Sequence, residues 1–217
     1  MIKIAVIMSC YNRADLTERC ILSLKKQNFK SNYELFFFIC DDGSTDDTTE
    51  RIRTIEPSAV IIRGSGNLFW AKSMYAAMAK ATTNKHDFYL MINDDVVFYP
   101  DMLDSMINTY IKIKEPCGIV GSTCDVDELH VTYGGRVFVR RIKLGKNHII
   151  EPNGNPQVCD LANWNCFLIP QEVIDNVGLI DRSYAHGLAD YDYSRMMAKK
   201  GYKIYVADKY IGIAKKK

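Results

Sequence analysis

The chain has 217 residues, 47% of them hydrophobic and 25% charged, with a formal net charge of +2. That length can bury a sizeable core in one large domain or two small ones, and the composition is ordinary for a globular protein. The near-neutral balance excludes an electrostatic nucleic-acid binder, and the longest apolar run, Leu35 to Cys40, is far too short to cross a bilayer.

The opening MIKIAVIM runs straight into a strand pattern and lacks the layout of a signal peptide. Seven cysteines, with no C-x-x-C pair and several inside apolar runs, fit buried reduced thiols better than disulfides or a zinc site. A cytoplasmic setting is the expectation. Lys215 to Lys217 reads as a solvated tail, with a weak peripheral attraction to anionic lipid as the alternative.

In chain order, Ile2 to Met8 is a continuous apolar run, as in a strand buried on both faces. It breaks at Ser9-Cys10-Tyr11-Asn12-Arg13, after which Asp15 is placed to cap a helix reaching Lys26. Tyr33 to Cys40 is a second buried strand ending at Asp41-Asp42-Gly43-Ser44-Thr45-Asp46-Asp47-Thr48, where Asp46 can cap a helix over Thr48 to Ile55. Ala59 to Arg63 is a third strand, Gly64 to Asn67 a glycine loop, Trp70 to Ala81 a helix, and Phe88 to Ile92 a fourth strand ending at Asn93-Asp94-Asp95. Strand and helix alternate throughout, which predicts an α/β fold with a mostly parallel sheet, helices on both faces, and the polar corners gathered on one sheet edge.

The second half has another texture. Pro100 to Lys114 is a helix, Ile119 to Ser122 a strand, and Tyr133 to Arg141 with Lys143 to Ile150 a hairpin or flap. Cys166 to Ile169 is a strand, Pro170 to Val177 a helix closed by Gly178, and Gly187 to Lys200 an acidic corner followed by a helix. Tyr202 to Ala207 is the last strand. Residues 1–99 and 100–217 are expected to be two halves of one continuous domain.

Ile4 to Arg13 (IAVIMSCYNR), Asp41 to Thr48 (DDGSTDDT), Asn93-Asp94-Asp95, and Ala189-Asp190-Tyr191-Asp192 with Arg195 stand in the order found in family 2 glycosyltransferases. The chain resembles a GT-A fold member of that inverting family, including its rhamnosyltransferase-like branch that builds bacterial surface polysaccharide. The resemblance implies a Rossmann-like nucleotide-sugar half, 1–99, and an acceptor-side α+β half, 100–217. It implies a UDP-, dTDP- or GDP-linked sugar as donor, a saccharide or lipid-linked acceptor, and a divalent cation, Mn2+ or Mg2+. A nucleoside diphosphate brings negative charge that a cation, a basic side chain or a helix N-terminus must offset.

Carried over residue by residue, the last acid of the D-x-D corner makes Asp95 the metal contact, with Asp94 beside it. Asn93 stands where the family has its first Asp, and can still bond a ribose or offer its carbonyl. Cys10, Tyr11 and Asn12 with Arg13 would wrap the base and ribose, and Asp41 or Asp42 would read the base edge. Gly64 to Lys72 resembles the loop under the ribose and sugar, with Gly66 admitting backbone to the ligand and Asn67 and Lys72 reaching phosphate or hydroxyls. Trp70 fits a sugar platform or the core equally. The family's E-D-x-D motif places the catalytic base at Asp190 and leaves Ala189 where an acid is usual, with Asp192 capping the helix or pairing with Arg195. Asn163-Trp164-Asn165 resembles the acceptor-side segment, Trp164 being a sugar surface or core, and His186 with Gly187 would shape an acceptor loop. Many members carry a metal-holding His shortly after the last strand, and Asp208 to Ala214 has none, which implies weak metal affinity without nucleotide. Asn93, Ala189 and the missing His favour the alternative of a catalytically weak or inactive nucleotide-sugar-binding relative, and retention of Asp95 with Asp190 argues against it. A sugar nucleotidyltransferase would want a Gly-rich basic loop after the first strand, and a dinucleotide oxidoreductase a G-x-G-x-x-G; SCYNR is neither.

Overall fold

The architecture comes from a computed structural model, which describes residues 1–28, 32–127, 130–139, 146–185 and 187–215. Strands β1 (Ile2–Cys10), β2 (Tyr33–Asp41), β3 (Val60–Arg63) and β4 (Phe88–Asn93) alternate with helices α1 (Ala14–Lys25), α2 (Thr48–Ile55) and α3 (Phe69–Ala81). β1 pairs in parallel with both β2 and β4, and β2 pairs in parallel with β3. The second half adds β5 (Val97–Phe98), α4 (Met102–Ile113), β6 (Cys117–Cys124), β7 (Val131–Tyr133), β8 (Gly135–Phe138), β9 (Asn147–Ile149), β10 (Gln157–Cys159), β11 (Leu161–Ala162), β12 (Cys166–Pro170), α5 (Gln171–Val177), α6 (Ala189–Lys199) and β13 (Lys203–Ile213). One mixed sheet runs β10-β13-β6-β12-β4-β1-β2-β3, and a small second sheet runs β11-β8-β9.

The continuous apolar runs have a direct cause. Alternate residues of a strand face opposite ways, and both faces of this sheet are covered. Ile4, Val6 and Met8 of β1 join Leu90 and Ile92 of β4 in a core with Ile21 and Leu24 of α1 and Met102 and Met106 of α4. Ala5 and Ile7, with Tyr89 and Met91, pack into a second core with Met74 and Met78 of α3 and Tyr193 of α6. Fully burying each large apolar side chain contributes about 1.5–3 kcal/mol, so both layers hold the sheet rigid.

Register is what matters for the site. Cys10 pairs with Asp41, Asp41 with Arg63, and Ser9 with Asn93, so three of the polar corners end in one row along the carboxyl edge. β12 enters antiparallel between β4 and β6, pairing Cys166 with Ile92. That pairing sets Asn163-Trp164-Asn165 beside the Asn93-Asp94-Asp95 corner, and the Asn93 N–H donates to the Asn165 carbonyl at 3.5 Å.

Several local expectations are corrected. α1 begins one residue before Asp15, and its free N–H groups are met from the β2–α2 loop: Asp46 accepts from Ala14, and Thr48 accepts from Arg13. Asp46 also accepts the Thr48 N–H at 3.1 Å, so one carboxylate serves the starts of two helices. The third acidic corner is not a loop: Asp190 and Asp192 lie in the first turn of α6. β13 runs six residues past the expected end, with register irregularities after Val206. The hairpin exists as β8 against β9, but residues 140–145 of it lie outside the described residues, as do His186, Lys216 and Lys217. All seven cysteines are buried and free, as expected. Among the described residues no helix is long and apolar enough to cross a membrane.

Candidate active site

A cleft of about 400 Å3 opens at the carboxyl edge of the parallel strands, lined by Ser9, Cys10, Tyr11, Arg13, Asp42, Gly66, Phe69, Trp70, Ser73, Asn93, Asp94 and Asp95. A second pocket of about 210 Å3 adjoins it, lined by Trp70, Asn93, Asp95, Tyr133, Asn163, Trp164, Asn165, Gly187 and Asp190. Trp70, Asn93 and Asp95 belong to both, so they stand at the junction.

The aspartate doublet at the end of β2 divides into two roles. Asp41 is fully buried, accepts from the Ser44 N–H at 2.8 Å and the Thr49 hydroxyl, and pairs with Arg63 at 2.9 Å. It ties β2, α2 and β3 together and does not line the cleft. Asp42 does: its carboxylate accepts the N–H groups of Gly66, Leu68 and Phe69, each at 2.9 Å. Three donors converging on one carboxylate fix the glycine loop against the strand end. Gly64 must be glycine there, because a Cβ would lie 2.4 Å from the Asp42 Oδ1.

Asn12 is a clasp. With φ +50°, it accepts from the Thr45 N–H at 2.8 Å and receives no place in the cleft wall. Asn67 is exposed and also absent from that wall. Lys72 is corrected outright: it falls on the outer side of α3 and lines a separate depression with Tyr75 and Arg182. One turn of helix decides this, since α3 turns Ala71 and Met74 inward and leaves Lys72 outward.

At the Asp94–Asp95 corner, the Arg13 guanidinium reaches Asp94 at 2.9 Å and Asp95 at 3.5 Å. The two carboxylate side chains are only 6% and 15% exposed, against 35% for the arginine. Among the described residues no group of three His, Cys, Asp or Glu side chains is placed to hold a metal. The donors at this corner are hard oxygens, which suit Mn2+ or Mg2+, but they are few; a cation here would take its remaining ligands from phosphate and water.

Asp190 lies on the far side of the second pocket, 7% exposed. Its carboxylate accepts from the Tyr191 N–H at 2.9 Å and the Asn163 amide at 3.1 Å. Burial pushes its pKa up to about 6, and the hydrogen bonds offset only part of that rise. Ala189 beside it is 1% exposed. A carboxylate in its place would be desolvated on the core side of the helix. No ion pair joins Asp192 to Arg195 among the described residues; Arg195 is exposed. Trp164 is 1% exposed, its ring packed against Trp70, Phe167 and Tyr193. It is core that reaches the pocket wall, not an open platform. Its Nε1 and the Asn163 Oδ1 are buried with no hydrogen-bond partner among the described residues.

Sequence reading passed over Phe69, which is 46% exposed at the mouth of the cleft with φ +56°, and Ser73 behind it. An aromatic pair directly after a glycine loop is the signal that could have found Phe69.

The family model for glycosyl transferase family 2 matches residues 5–163. The chain belongs to glycosyl transferase family 2. The match takes in the cleft residues contributed by β1, β2, the glycine loop and β4, together with Asn163. No curated protein sequence matches the chain. Among solved structures, S. aureus TarS 1-349 in complex with UDP-GlcNAc is similar at TM-score 0.69 and 17% identity, covering 100% of this chain and 59% of that one. The mannosyltransferase PcManGT from Pyrobaculum calidifontis, in complex with GDP-Man and Mn2+, is similar at TM-score 0.63 and 15% identity, covering 94% of this chain and 56% of that one. A longer S. aureus TarS structure gives TM-score 0.68 and 14% identity, with 98% and 36% covered. The fold is that of the GT-A glycosyltransferases, and this chain spans less than two thirds of each of these neighbours.

Proposed function

We propose that the protein transfers a sugar from a nucleoside-diphosphate sugar to a hydroxyl of a saccharide or lipid-linked acceptor, with inversion, using Mn2+ or Mg2+. The larger cleft, from the first half of the chain, takes the donor, and the smaller pocket, walled largely by the second half, takes the acceptor. The observation that carries this is the placement of Asp190. A buried carboxylate with pKa about 6 faces the acceptor side of a junction whose other wall belongs to the donor cleft.

Inverting transfer is one in-line displacement at the anomeric carbon. The acceptor oxygen attacks, its proton passes to the Asp190 carboxylate, and the bond to the leaving diphosphate breaks. Asn163 and the Tyr191 N–H orient the carboxylate. Trp70, between the two pockets, has the ring to lie against the transferred sugar. Asp42 holds the glycine loop in the shape the nucleotide needs, and Tyr11 and Phe69, both half exposed, are placed to cover the base. When bound, the cation at Asp95, with Asp94 beside it, supplies positive charge to the leaving diphosphate. The Asn163 Oδ1 and Trp164 Nε1, which have no partner among the described residues, suit a hydroxylated acceptor, whose OH groups both donate and accept. Work at the inner face of a membrane, on a surface polysaccharide as in the rhamnosyltransferase-like branch, is consistent with this chemistry.

Ala189 and Asn93 favour a second reading, a relative that binds nucleotide-sugar without turning it over. Asp190→Asn separates the two. Loss of turnover with nucleotide binding intact is the outcome the transferase requires; a parent protein that binds donor and never consumes it, with any hydroxylated acceptor, leaves the binding reading.

A further inference from the structure

The Asp94–Asp95 corner already holds a cation of its own. Arg13 leaves the start of α1, its backbone N–H fixed by Thr48 Oγ1 at 3.2 Å, and spans 81 residues of sequence to reach Asp94. One guanidinium nitrogen serves both carboxylates, at 2.9 and 3.5 Å. Adjacent carboxylates this little exposed repel each other unless positive charge lies close, and here Arg13 supplies it. Arg13, Asp94 and Asp95 all line the same wall of the cleft.

We propose that Arg13 is a counter-cation that excludes the divalent ion from the nucleotide-free protein and makes metal binding conditional on the diphosphate. This rests on the reading of Asp95 as the metal contact. A divalent ion approaching Asp95 alone must enter beside a fixed positive charge, and no third His, Cys, Asp or Glu among the described residues is placed to compensate it. A diphosphate changes the balance. Its oxygens complete the coordination of the ion, and its remaining charge is a partner for which a planar guanidinium is well shaped. Arg13 then moves from the carboxylates to the phosphate, and the carboxylates pass to the metal. The same side chain thus offsets part of the negative charge of the empty corner and contributes to holding the donor. It also makes the expected weak metal affinity a property of one residue.

The test is a titration of the nucleotide-free protein with Mn2+, read by the electron paramagnetic resonance of free Mn2+, which involves neither donor nor acceptor. Arg13→Met is expected to bind one Mn2+ at least tenfold more tightly than the parent, and Arg13→Met with Asp95→Asn to lose that gain. Arg13→Lys keeps the positive charge and is expected to stay as weak as the parent. Each variant is first checked for the parent's cooperative melting, and Arg13→Gln replaces Arg13→Met if the latter does not melt cooperatively. Mn2+ affinity within twofold of the parent in the neutral variants overturns the proposal, as does tight Mn2+ binding by the parent itself. Either result leaves the transferase reading standing, since that reading is judged by turnover in Asp190→Asn.

Discussion

Trp70 donates its indole N–H to the side-chain oxygen of Asn93 at 2.9 Å, and both residues line the larger cleft and the pocket that adjoins it. The ring is therefore fixed at the junction of the two pockets, where the proposed reaction passes the transferred sugar. Asn93, standing where the family usually has an acid, serves as a neutral acceptor for this bond. Trp70→Phe removes the hydrogen bond and keeps most of the ring, so it should cost about 1 kcal/mol of stability. The larger effect is expected on transfer, with kcat/KM for the donor falling at least tenfold. Unchanged steady-state kinetics would remove Trp70 from the account.

The pH profile follows from Asp190. As a base it acts when ionised, so kcat/KM should rise with pH through about 6 and level off above it. Stability has the opposite sign. The folded protein keeps a proton that the unfolded chain, with its carboxylate near 3.8, has released, so stability falls as pH rises from about 4 to about 6. The difference amounts to about 3 kcal/mol at most. Asp190→Asn should therefore melt no lower than the parent at pH 8 while losing about 10²- to 10⁴-fold in turnover. A flat rate profile between pH 5 and 8 contradicts the assignment.

The doublet at the end of β2 separates stability from binding. Asp41→Ala leaves the Ser44 N–H, the Thr49 hydroxyl and Arg63 without their common acceptor, at a cost of about 2–3 kcal/mol, and should still bind nucleotide when cold. Asp42→Ala frees the glycine loop at Gly66, Leu68 and Phe69, and should weaken nucleotide binding at least tenfold. Melting curves and calorimetry on the two variants check this. A reversed pattern would make Asp41 the nucleotide contact.

Much of this site is legible in the sequence, and the failures have physical causes. The acids after the strands at Asp42 and Asp95, and the helix-start acid Asp190, were readable because carboxylates at sheet edges and helix starts are local features. Which member of Asp41-Asp42 faces the cleft was not, because that depends on which way the chain leaves β2. Lys72 failed for a related reason: it lies two residues from Trp70 on α3, and helical phase sends it to the other side. The pairing of Arg13 with Asp94 and the nearness of Asn165 to Asn93 come from non-local strand register, which no spacing along the chain encodes. Trp164 could be core or platform by sequence; packing against three aromatic rings settles it as core.

Cys10 lines the larger cleft, yet burial pushes its thiol well up, with the charge of Asp41 adding to the effect. A thiol held protonated is a poor nucleophile. Iodoacetamide at pH 8 should label Cys10 no faster than the fully buried Cys20, as read by mass spectrometry of the folded protein. Rapid labelling of Cys10, blocked by nucleotide, would show the cleft to be far more open than described.

On the proposed reading this cleft binds a nucleoside diphosphate, and a divalent ion strengthens that binding. Thermal melting of the protein with UDP, dTDP, GDP or CMP, each with and without Mn2+, tests it most directly. At about 100 times its Kd, a bound ligand adds about 2.7 kcal/mol, which for a chain of this size raises Tm by about 5–10 °C. The account predicts that one diphosphate gives such a shift, larger with Mn2+ than without, while Mn2+ alone gives almost none. No shift from any of the nucleotides at millimolar concentration would contradict it.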